Sequence, residues 1–162
     1  MKTRRLTTLA LLTAGAMILS YVESMLPSFG IPGVKMGLAN IAVIFALYRL
    51  GWKEALGISL VRVFMVSMLF GSMSALLYSL AGAALSLGVM TLLKRMDRFS
   101  GTGVSVAGGV AHNAGQILMA ILLLGNARLV YYYPILVVSG VGGGILTGLA
   151  AGMLIRRIPD DS

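Results

Sequence analysis

The sequence predicts an all-α membrane bundle of six transmembrane helices with both termini on the cytoplasmic side, and three observations carry that prediction. Of 162 residues, 58% are hydrophobic and 11% charged, with a mean hydropathy of +0.94, which is too apolar for an ordinary soluble domain of this size. Glycine, proline and charged residues break the apolar sequence at intervals close to one membrane crossing. The basic residues collect at alternate breaks, so the net charge of +8 reports topology and not nucleic-acid binding. There is no cysteine, which excludes a disulfide framework, a thiolate metal site and a cysteine nucleophile.

The first segment, Leu6 to Leu26, follows Lys2, Arg4 and Arg5 in the manner of a signal peptide. It is long for the apolar region of a signal, carries Glu23 and is followed by further apolar segments, so it reads as a mature helix. The second, Pro32 to Leu50, opens on Gly30-Ile31-Pro32-Gly33-Val34-Lys35, where Pro32 suits a first helical turn because its missing N–H is unpaired there anyway. The third, Glu54 to Phe70, contains Arg62. A helix needs ~20 residues to cross ~30 Å of hydrocarbon, so the second and third are expected in a thinned or protein-lined region.

The fourth segment, Ser72 to Leu93, follows Gly71 and with it carries Ala75, Ser79 and Ala83 at fourth-residue spacing, a small-residue face that reads as tight helix packing. The fifth, Thr102 to Leu124, contains the polar run Gly108 to Gln116. The sixth, Val130 to Ile155, repeats Gly140, Gly144, Gly148 and Gly152, a flat stripe that lets another backbone approach and reads as helix packing. The eleven methionines read as core and lipid-facing filler. No connection is long enough for a soluble domain, so residues 1–162 form one integral membrane domain.

Lys2, Arg4, Arg5, Arg49, Lys53, Lys94, Arg95, Arg98, Arg156 and Arg157 fall on the side of the termini, against Lys35 and Arg128 on the other. By the positive-inside rule the termini are cytoplasmic and the protein is expected in the cell membrane as a multi-pass protein. Tyr131, Tyr132 and Tyr133 then mark the outer interface, and Trp52 the inner one.

At helical spacing Ser105, Gly109, His112 and Gln116 share one face with Asn113 at its margin, while Val106, Val110, Ile117 and Ile121 lie mostly away from it. Polar groups inside a membrane face a partner helix or a wet cavity, which makes this stripe one wall of an intramembrane pocket. Arg62, nine residues beyond Lys53, lies on the order of 14 Å into the third helix. A central arginine costs ~2.5 to 3.5 kcal/mol on insertion scales. Two roles fit it: an ion pair with Glu23, the one acid expected within a span, or contact with a ligand.

The start of the second helix, with Lys35 one turn in, is suited to attract an anion from outside, and Lys35 is equally suited to reach lipid headgroups. Gly33, Gly37 and Asn40 align at i, i+4 and i+7, so Asn40 faces a close neighbour, as a bridge between helices or as a ligand contact. The single histidine, His112, has no second histidine or cysteine to complete a metal site, so neither metal nor cofactor is expected. A buried neutral histidine, a proton relay with Glu23 and a pocket wall are the readings open to it.

Pro32 to Asn40 (PGVKMGLAN), Arg62, Ser79-Leu80-Ala81-Gly82 and the His-Asn-x-x-Gln core of Gly108 to Gln116 together resemble the membrane family called heptaprenyl diphosphate synthase component I, or the Gx transporter family. The resemblance covers nearly the whole chain. That family is similar to the substrate-binding S components of energy-coupling factor transporters. The similarity implies six helices, an outward-opening substrate pocket, and docking of Ala10 and Ala14 on the first helix to a coupling subunit that works with ATPases. No nucleotide-binding motif is present, so energy for transport would come from those partners. Prenyl-chain synthesis requires clustered aspartates to hold magnesium against diphosphate, and the aspartates here are Asp97, Asp160 and Asp161, with no DDxxD motif. The expected function is binding and uptake of a small anionic or amphipathic, vitamin- or isoprenoid-related molecule through Lys35, Asn40, Arg62, His112, Asn113, Gln116 and Glu23. The alternative is a non-catalytic membrane accessory to a separate prenyl synthase.

Overall fold

The computed structural model describes residues 2–25 and 37–158. Six α-helices follow one another: α1 (Lys2–Met25), α2 (Asn40–Arg49), α3 (Trp52–Phe70), α4 (Met73–Met96), α5 (Gly101–Leu124) and α6 (Tyr133–Arg157), with a short 3-10 turn, Ala127–Tyr132, before the last. There is no strand among the described residues. Local chemistry sets the ends of the later helices. Ser72 Oγ accepts the Ala75 N–H at the start of α4, and Ser100 Oγ accepts the Gly103 N–H at the start of α5. Gly125, at φ 61°, closes α5 in the left-handed conformation that glycine adopts without steric cost.

Most helix ends shift by a few residues from the sequence reading, and two starts differ for a visible local reason. The second helix was expected from Pro32 and begins at Asn40, because Gly37 sits at φ 73° and interrupts any helix entering from its N-terminal side. Gly37 therefore lies outside α2 and shares no helical stripe with Asn40, and residues 32–36, Gly33 and Lys35 among them, lie outside the described residues. The sixth helix begins at Tyr133 and not Val130, with Pro134 in its first turn and the 3-10 turn carrying Tyr131 and Tyr132.

Arg5–Met25, Met73–Met96, Gly101–Leu124 and Ala127–Arg157 are long and apolar enough to cross a membrane. α3 has 19 residues but includes Lys53, Glu54 and Arg62, and α2 has 10, a rise of only ~15 Å. Leu11 (68% exposed), Leu122 (76%) and Val138 (73%) belong to a broad apolar outer surface, which fits a membrane-associated protein and would be a liability in water.

α2 is the hub. Six consecutive residues, Ala42 to Leu47, are buried, so the short helix is apolar on every face and is enclosed by α1, α3 and α6. With Ala16, Ala55, Ile58, Leu87, Met90, Val104 and Ala151 these residues form the main apolar core. The end carrying the N-terminus is tied by basic side chains. Arg5 bonds Glu54 and reaches the Leu50 carbonyl, Lys94 donates to the Leu47 carbonyl, and Arg49 donates to the Ile155 and Ile158 carbonyls. These contacts satisfy terminal carbonyls of α2 and α6 with positive charge, the sign that a helix C-terminus favours.

α5 is packed between α4 and α6 at backbone distance. A Cβ on Gly115 would lie 2.6 Å from the Ala81 carbonyl oxygen, and one on Gly109 would lie 2.4 Å from that of Gly140. Of the glycine stripe on α6, Gly140, Gly144 and Gly148 meet α5, while Gly152 has nothing within 4 Å of where a Cβ would stand.

Candidate functional site

At the end of the bundle opposite the basic ties, all six helices contribute to one cavity of about 200 Å³. α1 brings Ser20, Glu23 and Ser24; α2 brings Asn40; α3 brings Arg62 and Ser67; α4 brings Ala75 and Ser79. α5 contributes Gly109, His112, Asn113 and Gln116, and α6 contributes Gly140, Gly143, Gly144 and Thr147. Exposed Ser24, Phe70 and Gly71 stand at its mouth, where the Tyr21 and Phe70 rings meet at 4.9 Å, and buried Asn113, Gly144 and Thr147 lie deeper. The apolar core around α2 closes the other end of the bundle.

The structure thus brings together six of the seven residues singled out from the sequence: Glu23, Asn40, Arg62, His112, Asn113 and Gln116. Lys35 lies outside the described residues. Ala10 and Ala14 are away from the cavity on α1 and are exposed, Ala10 lining a shallow groove with Gly57 and Val61 of α3. Sequence reasoning passed over the hydroxyl side chains Ser20, Ser67 and Thr147. It assigned Gly71, Ala75 and Ser79 to packing, yet they line the cavity. Ser20 stands one turn before Glu23 on α1, and that spacing was the available signal.

Several polar wall residues have a definite local setting. Arg62 is 9% exposed; Nη1 lies 3.5 Å from Ser20 Oγ, and buried Nε has no hydrogen-bond partner. Glu23 Oε1 accepts the Gly37 N–H, so the carboxylate that meets the start of the α2 region is the protein's own. Arg62 and Glu23, the two charged side chains among the described lining residues, form no ion pair within 4 Å. Asn113 Nδ2 donates to the Leu136 carbonyl at 2.6 Å and fixes α5 to α6. Thr147, in the cavity wall, has Oγ1 3.0 Å from the buried Ser105 Oγ, and Ser105, expected on the pocket stripe, lies behind that wall and not in it. Among the described residues, no group of three or more His, Cys, Asp or Glu side chains is placed to hold a metal ion.

The fold and cavity together define an all-helical protein of the membrane-associated class, with a polar chamber enclosed by apolar helices. The chain belongs to the heptaprenyl diphosphate synthase component I family, whose sequence profile matches residues 12–154. No curated protein and no solved structure matches it.

Proposed function

We propose that the protein is the substrate-binding membrane subunit of an uptake system, similar in role to the S components of energy-coupling factor transporters, and that it takes a small anionic or amphipathic molecule into the cavity. The observation that carries this reading is the Arg62 guanidinium, buried at the cavity wall with Nε unpartnered, among the amides of Asn40, Asn113 and Gln116 and the ring of His112. Inside a membrane a buried guanidinium with an unfilled donor and no direct ion pair is costly, and a bound anion supplies the missing contact. Guanidinium presents planar paired donors to carboxylate or phosphate.

In this reading the bundle crosses the membrane six times with cytoplasmic termini, and the concentration of basic residues at one end supports that orientation. The cavity mouth then faces outward. Exposed Ala10 and Ala14 would dock a coupling subunit, with ATP hydrolysis supplied by its partners.

A second reading rests on the family's own description, in which "component I" implies a partner component in heptaprenyl diphosphate synthesis. There the protein is a non-catalytic membrane accessory, since the chain has no aspartate cluster for magnesium diphosphate chemistry.

Mass spectrometry of a ligand retained through purification, with binding compared in Arg62→Ala and His112→Ala, tests the pocket. Binding unchanged in both variants overturns it. Co-purification separates the two readings: a coupling subunit with ATPases favours uptake, and a soluble prenyl synthase favours the accessory role.

A further inference from the structure

Beside the polar cavity lies a second space of about 400 Å³, an apolar crevice lined by Tyr78 of α4, Gln116, Ile117, Ala120 and Leu124 of α5, and Leu136 of α6 among others. It opens on the side of the bundle where Leu124 (63% exposed) and Tyr132 (51%) face outward. Gln116 lines both spaces. Its Cγ lies against Gly82 of α4, where a Cβ would come within 3.0 Å, so the absence of a side chain at Gly82 leaves room for it. Among the described residues the Gln116 amide makes no hydrogen bond, so packing of its Cγ against Gly82, and no polar contact, holds the side chain. The neighbouring wall is fixed: Asn113, three residues before Gln116 and lining the cavity, is tied to the carbonyl of Leu136, which lines the crevice.

We infer that the cavity and the crevice are the two halves of one site, divided by the Gln116 side chain, and that the ligand is an anion carrying a hydrocarbon chain. This rests on the proposed binding role of the cavity and specifies the class of molecule bound. The anionic head lies against Arg62 and Asn40. The chain passes Gln116, whose amide swings aside, and lies between α4 and the facing ends of α5 and α6. A polar chamber alone suits a compact anion, and an apolar crevice alone suits a lipid tail. Their meeting at one unanchored amide suits a molecule with both parts.

The test uses the full chain in lipid nanodiscs and measures binding of inorganic phosphate, inorganic diphosphate and alkyl phosphates with chains of about four to twelve carbons, in the native protein and in Ala120→Phe, Ala120→Leu and Arg62→Ala. The expected result is affinity rising by up to about fourfold per added methylene, the equivalent of ~0.8 kcal/mol per buried CH₂. That rise is lost or flattened in Ala120→Phe and Ala120→Leu, which fill the crevice, while inorganic anions bind them as before. Two side chains of different size guard against misfolding of the larger variant, and the melting temperature checks each. Chain-length dependence that persists unchanged in Arg62→Ala reports partition into the bilayer and overturns the inference. Arg62-dependent binding of inorganic anions with no chain-length dependence overturns the inference and leaves the proposed cavity standing. No Arg62-dependent binding of any probe overturns both.

Discussion

Arg62 and Glu23 line the same cavity without pairing: the Glu23 carboxylate accepts the Gly37 N–H, while Arg62 reaches Ser20 Oγ at 3.5 Å and keeps Nε unpartnered. A buried arginine retained for stability is expected to have its donors filled, because an uncompensated charge in a low-dielectric interior costs several kcal/mol. The arrangement therefore favours a role in binding over a role in holding α1 to α3. Replacing Arg62 with an apolar side chain of similar length removes that desolvation cost and gives up only the long contact to Ser20 Oγ. Arg62→Met is expected to melt at or above the temperature of the native protein and to lose anion binding. Thermal melting followed by Trp52 fluorescence, alongside a binding isotherm, checks both halves. A large loss of stability assigns Arg62 to the fold.

The glycines of α6 divide into two groups with opposite expectations. A Cβ on Gly144 would lie 2.5 Å from the Cα of Val106, backbone against backbone, whereas one on Gly152 meets nothing within 4 Å. Gly144→Ala must separate α5 from α6 and is expected to cost about 1–3 kcal/mol. Gly152→Ala removes a flexible residue from a helix interior and is expected to be neutral or to stabilise by up to about 1 kcal/mol. Melting of the two variants side by side, in the same detergent, reads the difference.

The pair Ser105 and Thr147 joins α5 to α6 behind the cavity wall, with Oγ and Oγ1 3.0 Å apart and both residues buried. Thr147→Val keeps the shape and removes the hydroxyl. Interhelical hydrogen bonds in membranes average ~0.6 kcal/mol, with a ceiling near ~2 kcal/mol, so the expected loss is modest. A double-mutant cycle with Ser105→Ala isolates it. A coupling energy near zero means that the Gly143 carbonyl, 2.8 Å from Thr147 Oγ1, is the hydroxyl's effective partner.

How much of this was legible in the sequence depends on how conspicuous each residue is against an apolar background. Glu23, Asn40, Arg62, His112, Asn113 and Gln116 stand out because large polar groups are expensive in a membrane, and all six reach one cavity. Ser20, Ser67 and Thr147 do not stand out, because a small hydroxyl bonds to its own helix: Thr147 Oγ1 lies against the Gly143 carbonyl one turn back. The glycine stripe on α6 was legible as packing, yet Gly140 and Gly144 also line the chamber, since a residue without a side chain leaves space on whichever side the neighbouring helix does not fill. The start of α2 was misjudged because Pro32 gave a plausible helix start, while the conformation of Gly37, five residues on, depends on tertiary context, including the Glu23 carboxylate that accepts its N–H.

Glu23 supplies the test of the ligand's charge. Its carboxylate opposes the field of Arg62 at the cavity, so removing the charge while keeping the shape isolates the electrostatic effect. Glu23→Gln retains a carbonyl oxygen able to accept the Gly37 N–H, and the loop entering α2 is expected to keep its geometry. With the negative charge gone, an anion meets Arg62 without an opposing neighbour, and affinity is expected to rise by about three- to tenfold, equivalent to ~1 kcal/mol of Coulomb energy at an intermediate effective dielectric. Because both groups are partly or wholly shielded from water, the gain should change little between low and moderate salt. Isothermal titration of inorganic diphosphate into the native protein and the variant measures the ratio. Weaker binding in Glu23→Gln has a different meaning: the carboxylate then contacts a cationic group of the ligand, the bound molecule is a zwitterion spanning Glu23 and Arg62, and the anionic reading of the cavity gives way to it.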